Sequence, residues 1–324
     1  VQGVHDPAQG VQNVKTFIAD ETVLGIVGPY NSNVAQAQIP VTNDAGIVQI
    51  SPATTSPLLT EGDAGASLRS AHPNTIAFFR VCTTDDRQGG AAAELVHRLG
   101  FRSAFVVDDN ETYGTSLSGV FERRFAALGG RVLGHEHLTR GQQDFKALLT
   151  KIHGFNPDIV FFGGTTSSGG GLLRRQMGDV GMSKVPFVGG DGIADEEFVT
   201  TAGPMANDTY FTVAAPDVAT DPHAKDFRAA YEARWKVPSG PYSANAYTAT
   251  DVLIAAIGEA ARSANGKLPT RESVRSFVAA TRGFASPIGV IGFDRNGDIT
   301  ENTLSLYQIR DGKTLLVSQV TTKS

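Results

Sequence analysis

The sequence predicts an α/β protein of two domains, each built on a mostly parallel, doubly wound sheet with helices on its faces. Three observations carry that expectation. The chain has 324 residues, more than one hydrophobic core usually supports. Short, uniformly apolar runs rich in β-branched and aromatic residues recur along it, as strands covered on both faces require. Helix-period segments lie between those runs, and a strand–helix–strand rhythm sets neighbouring strands parallel.

The runs expected as strands are 23–27, 47–51, 76–82, 103–107, 131–137, 158–163, 186–189 and 209–214. Segments 34–45, 88–99, 116–128, 142–153 and 171–181 read as helices between them. Gly100, Gly129-Gly130 and Gly181 punctuate the ends of three of these, where a left-handed residue is needed. The rhythm then changes. Segments 221–235, 242–264 and 270–281 are long and helical, with no strand between the first two. Runs 288–293, 303–309 and 314–320 close the chain, and Asp311-Gly312 between the last two is a hairpin signal. The carboxyl end is therefore expected to be antiparallel. The Pro-containing stretches 214–222 and Ser286-Pro287 read as crossings between the two domains.

Composition excludes several classes of function. Apolar residues at 41% and charged residues at 19% fit a globular chain rather than a disordered one. Lys plus Arg is 28 against 33 for Asp plus Glu, a net charge of −5 with no dense basic stripe, which argues against nucleic acid as a partner. The doublets Arg123-Arg124 and Arg174-Arg175 read as solvated helix faces. The sole cysteine, Cys82, lies in an apolar run and reads as a small buried hydrophobe. A single cysteine excludes an intrachain disulfide and a Cys-pair zinc site. No apolar run approaches the ~18 residues that span a membrane. The amino terminus shows neither a basic leader nor an apolar signal core, so any export signal is expected to lie outside this chain.

Polar loops follow several of the expected strands. Gly28-Pro29-Tyr30-Asn31-Ser32-Asn33 joins the first strand to a helix. Hydroxyls and free N–H groups at such a helix start suit a carboxylate or phosphate; the alternative is that Ser32 or Asn33 merely caps the helix. The loop after the next strand, Ser51-Pro52-Ala53-Thr54-Thr55-Ser56-Pro57, offers four hydroxyls in six residues. Its two prolines stiffen it and lower the entropy lost on capturing a ligand; the alternative is a polar turn. Gly163–Gly171 lacks the Lys-Ser/Thr ending of a phosphate loop, and Gly189-Gly190-Asp191-Gly192 is a weak signal alone. His135 and His137 alternate on one strand and share a face, which reads as a solvated strand edge rather than a metal site. Neither a metal-spaced histidine pair on a helix nor a nucleophile elbow is present, so no cofactor, no metal and no enzymatic reaction are expected.

Taken together, these segments resemble the periplasmic amino-acid-binding proteins of the branched-chain type, which share the type I periplasmic binding fold. The resemblance runs from His5-Asp6-Pro7-Ala8-Gln9 through Val27-Gly28-Pro29, Ala45-Gly46-Ile47 and Ser51–Pro57. It continues with Phe79-Arg80, Asp85-Asp86-Arg87-Gln88-Gly89, Tyr113-Gly114, Asn156-Pro157-Asp158, Gly190-Asp191-Gly192 and Phe293-Asp294-Arg295-Asn296-Gly297-Asp298. It implies a solute-binding component of an ABC importer that captures a small polar ligand, an amino acid foremost, without chemistry. The partners implied are that solute and a membrane permease. The protein is expected to be a monomer in the periplasm or outside the cell, with lipid anchoring left open.

The resemblance also implies a layout. Lobe one would hold residues 1–83 and 216–286, and lobe two 84–215 and 287–324. Three crossings near 83–85, 214–216 and 286–289 would frame a ligand cleft between lobes that close by hinge motion. The ligand carboxylate would meet Ser32, the Ala53 backbone and Thr55, with Asn31 and Thr54 beside them. Asp191 would take the ammonium, and Tyr113 would close over the ligand. Two departures from the family pattern stand out. Asp191, the shorter of the two acids found there, leaves room for a water. Thr165 replaces a common aromatic, so relatives that bind aromatic acids, amides or urea remain comparable. The family also opens with about 50 further residues that complete a central sheet, so a truncated chain is expected. A regulatory sensor on the same fold, as a repressor core or receptor ectodomain, is the alternative function.

Overall fold

The computed structural model describes residues 5–265 and 267–323. Its chain divides into two units: unit one comprises Val1–Thr84, Ala215–Thr303 and Thr321–Ser324, and unit two comprises Asp85–Ala214 and Leu304–Val320. Unit one begins with helix α1 (Pro7–Ala19), strand β1 (Gly25–Val27), helix α2 (Ser32–Asp44), strand β2 (Val48–Ser51), helix α3 (Gly62–Leu68) and strand β3 (Phe78–Arg80). Unit two follows with α4 (Asp85–Arg98), β4 (Ser103–Asp108), α5 (Thr112–Ala127), β5 (Arg131–His137), α6 (Lys146–Phe155), β6 (Ile159–Gly163), α7 (Gly170–Met177), β7 (Phe187–Gly189), α8 (Glu196–Ala202) and β8 (Thr209–Val213). The chain re-enters unit one for α9 (Lys225–Trp235), α10 (Ser243–Ser263), α11 (Arg271–Ala279), β9 (Phe284–Ser286) and β10 (Gly289–Ile291), then ends in β11 (Glu301–Arg310) and β12 (Lys313–Lys323).

Unit one carries a three-stranded parallel sheet in the order β1-β2-β3. Helix α1 starts where Asp6 accepts hydrogen bonds from the N–H groups of Ala8 and Gln9, with Pro7 next in the chain. That is a proper amino-terminal cap followed by the one helical position that tolerates proline. Helix α10 buries Ala244, Thr248, Ala249, Val252, Leu253, Ala256 and Ala260. The three-to-four-residue spacing puts them on one face, against Val48 and Ile50 of β2.

Unit two is organised by a seven-stranded sheet in the order β12-β11-β8-β7-β6-β4-β5. Strands β8, β7, β6, β4 and β5 are mutually parallel, and β11 is antiparallel to β8. Every residue of β4 and β6 is buried, which explains why both read as unbroken apolar runs. Phe121 of α5 stacks on Phe161 of β6 at 3.9 Å between ring centroids. Asp311 and Gly312 both have positive φ, at 51° and 69°, the conformation that a two-residue hairpin between β11 and β12 demands.

Four expectations need correction. Residues 287–303 belong with unit one, not with the second half: Phe293 and Ile299 pack with Val48 and Phe79. Ser286-Pro287 is accordingly no crossing; it turns β9 into β10, a two-stranded antiparallel ribbon. The last crossing falls inside the β11–β12 hairpin, at Thr303–Leu304 and Val320–Thr321. Helix α6 begins at Lys146 rather than at 142, because the Asp144 carboxylate takes the Lys146 N–H at 2.9 Å and ends the preceding loop. Arg174 is buried rather than solvated. Its guanidinium donates to the carbonyls of Met205, Val185 and Asn207, and burial lowers its pKa to about 10.

Candidate functional site

In unit one, the loops after β1 and β2 are locked to each other. The Ser51 hydroxyl donates to the Pro29 carbonyl at 2.8 Å and accepts from the N–H groups of Ala53 and Thr54 at 3.2 and 3.0 Å. Ser32, the first residue of α2, accepts from the Ser56 N–H at 3.3 Å. Arg80, wholly buried, grips the same loop from below. Its guanidinium donates to the carbonyls of Thr54 at 3.0 Å and Ser56 at 2.8 Å, to the Thr60 hydroxyl at 2.5 Å, and to Asp298 Oδ1 at 2.6 Å. The Thr60 hydroxyl donates in turn to Asp298 Oδ2 at 2.9 Å. A charge this buried is tolerable because at least four of its five N–H groups have acceptors, one of them a carboxylate.

The loop so fixed presents three consecutive hydroxyls. Thr54, Thr55 and Ser56 are fully buried, and their Oγ atoms have no hydrogen-bond partner. Asn31, at the cap position of α2, makes no side-chain cap bond; its Nδ2 pairs with His5 while its buried Oδ1 has no partner. Each buried unpaired polar atom costs roughly 1–3 kcal/mol. A cluster of them sits on the loop that Arg80 holds. Ser32 does not cap α2, so the dull alternative for it does not hold. The Ala53 N–H, expected to face a ligand, donates to Ser51 instead.

In unit two, Asp191 follows β7 and is almost fully buried. Its Oδ1 accepts from the Tyr113 hydroxyl at 2.9 Å and from Gln88 Nε2 at 2.5 Å. The Tyr113 hydroxyl accepts in turn from the Gly192 N–H at 3.1 Å. These two donors to Asp191 are neutral and orient the carboxylate. Desolvation, with the nearby carboxylates of Asp191 and Asp85, pushes Tyr113 well above the usual phenol value, which keeps its proton in place as a donor. The flanking glycines are forced by closeness: a Cβ on Gly190 would lie 2.5 Å from the Tyr113 oxygen, and one on Gly192 would lie 2.3 Å from the Gly164 carbonyl oxygen. Next to this group, burial pushes Asp109 up to about 6 against hydrogen bonds from Ser168 and Glu111. Thr165 turns inward: its N–H and hydroxyl both bond Ser168 and close a local turn.

The expected site residues thus fall into two groups. Asn31, Ser32, Ala53, Thr54 and Thr55 lie in unit one, and Tyr113, Thr165 and Asp191 in unit two. Sequence reasoning left out Gln88, Ser51, Arg80 and Asp298. Ser51 stands in the hydroxyl loop and the other three in the family signatures, but none showed its role, because three of their key partners are distant in sequence. Among the described residues one further cluster is of metal-ligating type, Asp108 with His135 and His137.

The family model described as periplasmic binding protein matches residues 3–314. The chain belongs to the periplasmic binding protein family. Within this family, a Leu/Ile/Val-binding protein of Rhizobium johnstonii is 30% identical over 309 residues, covering 95% of this chain and 78% of that one. An amino acid binding protein of Pseudomonas aeruginosa is 29% identical, covering 94% of this chain and 77% of that one. Among solved structures, a leucine binding protein of Thermotoga maritima matches with a TM-score of 0.83 and 26% identity, over 98% of this chain and 85% of that one. The two groups of polar residues lie on loops that follow strands, at their carboxyl ends.

Proposed function

We propose that this chain is the extracytoplasmic solute-binding component of an ABC importer and that its solute is an amino acid. The observation that carries the reading is the row of three buried, unpartnered hydroxyls at Thr54, Thr55 and Ser56 on a loop clamped by Arg80. Neutral hydroxyls suit a carboxylate: each charge-assisted bond contributes roughly 1.5–3 kcal/mol, and no counter-charge is buried with it. Thr55 and Ser32 take the α-carboxylate, with Asn31 and Thr54 beside them. Asp191 takes the ammonium, held in aim by Tyr113 and Gln88. The relatives named for leucine, isoleucine and valine support an aliphatic side chain as the first to try. The partner is a membrane permease, the protein works as a monomer, and its place is the periplasm or the cell exterior.

Calorimetric titration with the common amino acids tests this reading. We expect one ligand per chain, with leucine, isoleucine or valine among the binders. Asp191→Asn and Thr55→Ala are each expected to weaken binding more than tenfold. An affinity unchanged in Asp191→Asn would remove the ammonium assignment and point to a ligand with a carboxylate alone. Silence across amino acids, aromatic acids, amides and urea would overturn the binding function itself.

A further inference from the structure

We propose that Asp108, His135 and His137 form a binding site for one divalent transition-metal ion of the zinc type, in unit two, with Glu122 supporting it from behind. The argument starts from the strands. β4 and β5 are parallel neighbours, with Val106 opposite His135 and Asp108 opposite His137. Side chains two apart on a strand share a face, so both imidazoles and the carboxylate emerge together. Their ligating atoms all lie within 4.8 Å of one another. His135 Nε2 is 2.8 Å from Asp108 Oδ2, and His137 Nδ1 is 2.7 Å from Asp108 Oδ1.

The second nitrogen of His135 decides the chemistry. Its Nδ1 lies 3.1 Å from Glu122 Oε1, on α5. A neutral imidazole has one N–H and one lone pair. With a carboxylate at each nitrogen, one of the two contacts brings acceptor to acceptor unless a second proton or a cation lies there. A second proton satisfies both contacts, and the carboxylates of Asp108 and Glu122 raise the His135 pKa to about 9; a metal satisfies them equally, with Nδ1–H donating to Glu122 while the Nε2 lone pair and Asp108 coordinate the ion. A carboxylate behind a ligating histidine is the usual second layer of such sites, fixing the tautomer and raising the basicity of the ring. Two imidazoles and one carboxylate favour zinc-like ions over calcium or magnesium, which prefer oxygen.

Burial grades from one side to the other. The Asp108 side chain is fully buried, those of His135 and Glu122 are each 26% exposed, and that of His137 is 54% exposed. An ion enters from the His137 side and keeps water in its remaining position, as three-ligand sites do. Its effect is to tie the edge strand β5 to β4 and, through Glu122, to α5. A tetrahedral site sets its ligating atoms about 3.3 Å apart, from bonds of ~2.0 Å, so the two Asp108 contacts must lengthen and the widest pair, at up to 4.8 Å, must close.

Zinc chloride titrated into the chelator-washed full chain tests the site. We expect one equivalent to bind, a rise in melting temperature, and, with cobalt in place of zinc, the strong visible bands of tetrahedral coordination. His135→Ala and His137→Ala are each expected to lose at least tenfold in affinity, and Glu122→Gln about tenfold. His137 is half in solvent, so its variant keeps the fold and decides the matter even if the His135 variant does not. Uptake that exceeds one equivalent and is unchanged in the His137 variant, an adventitious ion only, overturns the proposal. So does a proton alone between His135 and Asp108, seen as no zinc uptake with all four residues intact.

Discussion

At the scale of single residues, the decisive feature is how few side chains hold the polar loops. Arg80 satisfies two carbonyls, a hydroxyl and a carboxylate from complete burial. Arg80→Met removes the charge but keeps most of the volume, and leaves Asp298 buried without its partner. Breaking one side of such a pair costs about 3–5 kcal/mol, so urea unfolding is expected to show a loss of that size, and titration a loss of ligand affinity. Gly190 is the matching point in unit two. Gly190→Ala would drive a methyl group to 2.5 Å from the Tyr113 oxygen and 2.6 Å from Leu117, so Tyr113 and with it Asp191 must shift. We expect ligand affinity to fall more than tenfold while stability changes by about 1–3 kcal/mol; wild-type affinity in this variant would separate Tyr113 from the aim of Asp191.

At the scale of elements, strands meet through their ends as well as their ladders. Asp158, just before β6, accepts at Oδ2 from the N–H groups of Arg102 and Ser103, at 2.7 and 2.8 Å, where β4 begins. Desolvation, the largest influence, raises its pKa. The bonds from Arg102 and Ser103 together outweigh it and hold the carboxyl below its ordinary value. A depressed carboxylate stabilises the fold above its unfolded value and loses that contribution as pH falls through the folded one. Asp158→Asn is therefore expected to lower the melting temperature at neutral pH and to approach wild type as pH falls below the ordinary carboxylate range. An equal loss at every pH would assign the effect to packing instead. Several elements were legible: β4 and β6 as apolar runs, and the β11–β12 turn from Asp311-Gly312. Residues 287–303 were not, because their apolar side chains fit either core and nothing local says which. Arg174 misled for a related reason. A basic doublet looks solvated until three carbonyls from other segments close on one of its members.

At the scale of the whole molecule, the chain passes between its two units inside β-structure as well as through loops: it crosses within β11 at Thr303–Leu304 and within β12 at Val320–Thr321. A ligand that binds only the folded protein raises its stability by mass action, by about 2.7 kcal/mol at a hundredfold excess over the dissociation constant. We therefore expect the bound amino acid to raise the melting temperature by several degrees, and Asp191→Asn to abolish the rise at the same concentration. A ligand that binds without any such rise would mean that it also binds the unfolded chain.

Sequence by itself determined the fold class, most of the succession of strands and helices, and the loops that carry polar groups, because each depends on periodicity and turn chemistry within a short stretch; the short helices α3 and α8 and the β9–β10 ribbon were not read. It also marked the hydroxyl row as chemically apt, whereas Asp191 stood out only through the family resemblance. Only the tertiary structure decided what holds them. Gln88 reaches Asp191 across 103 positions, and Arg80 reaches Asp298 across 218. Only folding brings such pairs together, and a buried charge or hydroxyl is costly or useful according to partners that no local pattern names.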